Sequence, residues 1–160
     1  MTRIAPSAWR VAEMLGLENL EVLQSTNDSG AGFGVVGDLA CAVPSEEYMQ
    51  RVMECLGVKA LRYSDIVKSE VARVAVCTGA GASLIDVARA SGADLYLTAD
   101  LKYNDFMRHE NRIILADMGH FESEFCAIEI LFDILSKKML TFAVRKSVHS
   151  RNPVNYMVGE

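Results

Sequence analysis

Two residues four apart, His120 and Glu124 in "LADMGHFESEFCAIEILFDIL", stand where a strand-like run turns into a helix-like one. Helix geometry puts side chains at that spacing on one face, so an imidazole and a carboxylate would sit one turn from each other. Such a pair can supply two ligands to one divalent cation. The same residues also make an ordinary helix start, with Glu122 and Glu124 favouring the helix dipole and His120 hydrogen-bonding a backbone group. Residue types alone favour that plainer reading. If the helix runs on to about Lys138, then Phe121, Phe125, Ile128, Phe132 and Leu135 have the spacing of a core stripe.

Two more stretches carry candidate groups. "CTGAGAS" follows an apolar strand and precedes a helix, so its backbone N–H groups could cradle an anion. No Lys-Ser or Lys-Thr follows, so it is not a P-loop, and a tight strand-to-helix turn explains its glycines more simply. "LTADLKYND" gathers Thr98, Asp100, Lys102, Tyr103, Asn104 and Asp105 at the end of a strand, either lining a pocket or capping a helix through Asp100. His109 and His149 lie in polar contexts that suit surface histidines. No Ser–His–Asp or Cys–His arrangement can be picked out, and no catalytic residue is assigned.

These groups need a scaffold. The spacing of apolar residues predicts helices over 7–17 and 45–57, the latter with Ser45 as N-cap and Gly57 as stop. It predicts strands over 19–25 and 33–43, joined by the turn "TNDSGAG" as a hairpin, and a short strand in "KALRYS". From residue 71 the pattern becomes regular: "VARVAVCT" strand, "SLIDVARASG" helix, "ADLYLTA" strand, "LKYNDFMRHE" short helix, "RIILADMG" strand, then the long helix. Such alternation favours parallel strands with crossover helices. A last strand is expected in "MLTFAVRKS", followed by the polar tail "VHSRNPVNYM".

With 160 residues and 51% hydrophobic content, residues 1–160 suit one α/β domain with a single core. A net charge of −5 argues against nucleic acid as a partner. No apolar run approaches the roughly eighteen residues that span a bilayer, and "MTRIAPSAWR" lacks the apolar stretch of a signal peptide, so a cytoplasmic location is expected. Cys41, Cys55, Cys77 and Cys126 are scattered in apolar contexts without CxxC spacing, which predicts buried free thiols.

Taken in order, "RVAVCTGAGASLIDVARASGADLYLTADLKYND", "ILADMGHFESE" and "NPVNYM" resemble the C-terminal half of the NIF-three-like family, many members of which are named GTP cyclohydrolase 1 type 2 homologues. The resemblance runs over most of the chain. It implies an α/β fold with a mixed sheet, βαβ crossovers and flanking helices, corresponding to one half of the family fold. It also implies a dinuclear centre of divalent metal (zinc, iron, manganese or nickel), to which the "GH…E" motif contributes His120 and Glu124. On this basis the pair is read as metal ligands, with Asp117 or Asp100 as the acid that orients the histidine.

Two departures accompany the resemblance. The family's N-terminal paired histidines and acid are absent, so this chain holds about half of a site. Relatives also usually show glycine at the place of Ala99 and histidine at that of Asn104. The remaining ligands are expected from another subunit, a partner chain or a missing N-terminal half, and homo-oligomers are expected. The function implied is a metal-binding domain, with metal-dependent hydrolysis in the complete protein. The alternative is a non-catalytic oligomerisation or protein-interaction module with a vestigial metal site, and nucleotide binding through "GAGAS" ranks below both.

Overall fold

The computed structural model describes residues 6–26, 32–157 and 159. Its elements are α1 (Pro6–Met14), β1 (Glu18–Ser25), β2 (Gly32–Pro44), α2 (Ser45–Leu56), β3 (Arg62–Tyr63), β4 (Glu70–Ala80), α3 (Ile85–Ala90), β5 (Leu95–Ala99), α4 (Tyr103–Phe106), β6 (Ile114–Asp117), α5 (His120–Glu124) and α6 (Cys126–Lys138). Among the described residues the strands form one sheet in the order β1-β2-β4-β5-β6-β3. β4, β5 and β6 run parallel, while β1, β2 and β3 pair antiparallel with their neighbours. The sheet is therefore mixed, with βαβ crossovers at its centre. The turn "TNDSGAG" falls mostly outside the described residues.

Side-chain alternation divides the core between the two faces. Val74 and Val76 of β4, Leu95 and Leu97 of β5, and Ile114 and Ala116 of β6 pack with α1 and α2. The intervening Ala75, Tyr96 and Leu115 pack with Ile85 and Ala88 of α3. Every residue of β5 and β6 is buried, which explains why these strands read as continuous apolar runs.

Several local expectations change. Ser45 does not cap α2; its Oγ donates instead to the Lys68 carbonyl at 2.5 Å, while Gly57 ends the helix in the left-handed conformation as expected. "MLTFAVRKS" forms no strand and pairs with neither edge strand, β1 or β3. Residues 120–138 form α5 and α6 with Phe125 between them in helical dihedrals. The expected core stripe is only partly realised: α6 packs against α1, yet it has no buried residue, and Phe121, Ile128 and Phe132 are half-buried while Phe125 and Leu135 are exposed. The four thiols are free but not all buried. Cys77 is buried and Cys126 half-buried, whereas Cys41, in the stretch where the β2–β4 register shifts, and Cys55, whose thiol reaches the Met14 carbonyl, are exposed.

Asp117, the buried last residue of β6, fastens this frame. Its carboxylate pairs with Arg62 of β3 and accepts the Leu101 N–H at 3.0 Å and the Gly119 N–H at 3.0 Å. Removing a charged acceptor from three donors at once is costly. Asp117→Ala is expected to lower stability by about 3 kcal/mol, measured as a shift in urea midpoint without a change in slope.

Candidate metal half-site

The parallel strands deliver three groups to one place at their C-terminal ends, where open α/β sheets bind ligands. Asp100 follows β5 and takes a left-handed backbone at φ 58°, a conformation aspartate tolerates better than most residues. It does not cap α4, whose first N–H group, on Lys102, is received by Asp105 at 2.8 Å. The Asp100 carboxylate is thereby left for His120, which opens α5 after β6. His120 Nδ1 lies 2.6 Å from Asp100 Oδ2, and Nε2 lies 3.2 Å from Glu124 Oε2.

This geometry sets the state of the ring. Asp100 holds the Nδ1 proton, so in the neutral imidazole the Nε2 lone pair faces the Glu124 carboxylate. Two electron-rich groups face each other unless a proton or a cation lies between them. Two ligands about 2.1 Å from one ion stand about 3.0–3.4 Å apart at ordinary coordination angles, and the observed separation falls in that range. The pair thus fits two ligands of one cation, with Asp100 orienting the histidine. Asp117 does not orient it, being occupied by the clamp. Among the described residues no group of three or more His, Cys, Asp or Glu side chains is arranged to hold a metal.

Glycines make room for it. A Cβ on Gly79, at φ +68°, would stand 2.5 Å from Glu124 Oε1, and one on Gly81 would collide with Thr98 Oγ1 and lie 2.5 Å from the Tyr96 hydroxyl. Close packing against the site and the next strand therefore explains "GAGA", and α3, only six residues long, offers no anion cradle. Ser123 fixes the turn by donating to the His120 carbonyl at 2.8 Å and accepting the Gly79 N–H at 2.9 Å. The other candidates lie apart from this arrangement: His109 sits 3.8 Å from Asp65, while His149, Lys102, Tyr103 and Asn104 are exposed.

Beside His120 lies a cleft of about 590 Å³, lined by Arg62, Asp117, Phe121, Glu122, Asn152 and Tyr156 among others. Arg62 was not picked out from the sequence; Glu122 was read only as favouring the helix dipole, and Asn152 and Tyr156 only as part of the "NPVNYM" resemblance, none as lining a cleft. Burial and the carboxylates of Glu122 and Asp117 push the Tyr156 hydroxyl pKa up.

A protein-family model described as Duf34/NIF3 (NGG1p interacting factor 3) matches residues 5–153. The chain belongs to the DUF34/NIF3 family. A relative from Nostoc sp. (strain PCC 7120), named GTP cyclohydrolase 1 type 2 homolog, is 32% identical over 128 residues, covering 78% of this chain and 48% of the relative. One of the same name from Campylobacter jejuni is 36% identical over 106 residues, 66% of this chain and 42% of the relative. The chain thus spans about half the length of these curated relatives. The crystal structure of a Bacillus cereus protein related to NIF3 superposes with a TM-score of 0.79 at 16% identity, over 96% of this chain and 70% of that one, a likeness of fold.

In this family member the Asp100 hydrogen bond raises the His120 pKa above its ordinary value; partial desolvation opposes the rise and the Glu124 charge reinforces it. The sign follows from linkage: stabilisation is complete below the unfolded-state value of about 6.5 and is lost as pH rises through the higher folded-state value. The groups are half exposed, so the energy is small. Asp100→Asn is expected to bring the His120 pKa down towards the ordinary value, read from the pH titration of its ring resonances by NMR.

Proposed function

We propose that this chain is the metal-binding domain of a DUF34/NIF3 protein, in which His120 and Glu124 supply two ligands of a dinuclear divalent-metal centre of zinc, iron, manganese or nickel. The observation that carries this reading is the Nε2 lone pair of His120 facing the Glu124 carboxylate at 3.2 Å, with Nδ1 held by Asp100 at 2.6 Å. The remaining ligands come from outside this chain: another subunit, a partner chain or the other half of a full-length family protein. When bound, a divalent ion lowers the pKa of a coordinated water and polarises a carbonyl or phosphoryl oxygen, which suits metal-dependent hydrolysis in the complete protein. The cyclohydrolase in the relatives' name agrees with water as a reactant. This chain's residues hold the ion, orient the imidazole through Asp100 and clear space through Gly79. No helix among the described residues is long and apolar enough to cross a membrane.

Elemental mass spectrometry of the purified chain tests the reading. The expected result is substoichiometric metal that His120→Ala and Glu124→Ala each abolish, since two ligands alone bind weakly. A chain that takes up no metal from excess ion would overturn it.

A second reading, a non-catalytic assembly module with a vestigial site, is favoured by one observation. On and after α6, Leu131 is 57%, Leu140 88% and Phe142 68% exposed, an apolar concentration unusual for a solvated surface. In this reading the chain forms homo-oligomers through that face. Sedimentation at micromolar concentration is expected to show species heavier than the 17.6 kDa chain, and Leu131→Glu is expected to return them to monomers.

A further inference from the structure

The tail after α6, which has no regular secondary structure, supplies Asn152, Pro153, Val154 and Tyr156 to the cleft wall. Among the described residues, the hydrogen bonds that tie 143–157 to the rest come from two side chains. Lys146 Nζ reaches the Glu129 carboxylate at 2.6 and 2.8 Å, and Asn152 Nδ2 donates to Glu122 Oε1 at 2.8 Å. Asn152 does a second job, because its Oδ1 accepts the Val154 N–H at 2.9 Å and shapes the turn at Pro153. That turn sets Pro153, Val154 and Tyr156 against the cleft, opposite Arg62 and Phe121.

The latch has a built-in opposing cost. Glu122 Oε2 is buried without a hydrogen-bond partner, folded back over Gly119, where a Cβ would collide with it. A buried carboxylate oxygen without a donor is unfavourable, and hydration would relieve it. The closed arrangement therefore rests on few bonds and keeps one group out of water at its anchor, the features of an element that opens locally while the core stays folded.

We propose that residues 151–157 form a strap latched along the cleft by the Asn152–Glu122 hydrogen bond, and that its release widens the cleft beside the already half-exposed His120 for a small molecule. The latch stands on its own geometry; its bearing on function rests on the reading of His120 as part of a ligand site.

The test uses the full chain, free of metal. In limited proteolysis, cleavage after Arg151 is expected to accelerate on the order of tenfold in Asn152→Ala, the loss of one hydrogen bond to a charged acceptor. Glu122→Ala should do the same, and the double variant should add little to either. Asn155→Ala, whose side chain bonds only the Pro153 carbonyl, should cleave like the parent. Carbethoxylation of His120 by diethylpyrocarbonate, with His109 as internal reference, reports access to the cleft and should quicken in Asn152→Ala alone of the two asparagine variants. Parent-like cleavage in Asn152→Ala would overturn the latch, and faster cleavage with unchanged His120 modification would overturn its control of access. Neither readout needs bound metal, so the strap and the metal reading fail separately.

Discussion

One buried carboxylate fixes where everything else at the sheet's C-terminal edge can be. Asp117 gathers the guanidinium of an edge strand, the N–H of Leu101 and the N–H of Gly119. Leu101 follows Asp100, and Gly119 precedes His120, so one clamp sets the distance between the histidine and the acid that orients it. A buried charge is tolerable only when its acceptor capacity is filled, and here the filling is also the alignment of the site.

The alignment produces an electrostatic arrangement with a definite need. An imidazole committed to Asp100 through Nδ1 can offer only Nε2 towards Glu124, and a neutral ring leaves like-signed density face to face. A proton satisfies this, and the raised His120 pKa records its preference. The chain belongs to the DUF34/NIF3 family and spans about half the length of the curated relatives it matches. The last helix packs against α1 but leaves Leu131, Ile134 and Leu135 exposed.

Much of this was legible in the residues. Period-two alternation in "VARVAVCT" and the unbroken apolar runs of "ADLYL" and "RIILAD" announced central strands, because burial on both faces selects those patterns. Gly57 marked a helix end through its freedom at positive φ, and four-residue spacing placed His120 and Glu124 on one face. Other patterns misled. The stripe from Phe121 to Leu135 has core spacing but is only partly covered, because periodicity records which face is apolar and not whether anything covers it. "MLTFAVRKS" reads like a strand from its residues but pairs with neither sheet edge.

What the sequence determined by itself was the set of local preferences: which segments tend towards strand or helix, and that His120 and Glu124 share a helical turn. Tertiary structure alone decided that Asp100 and not Asp117 orients His120, that Gly79 clears space for Glu124, and that Asn152 reaches Glu122 across 30 positions of chain. The physical reason is range. Dihedral preferences and side-chain periodicity act over a turn or a pleat, whereas a site is assembled from groups far apart in the chain whose meeting depends on how the strands are ordered and clamped.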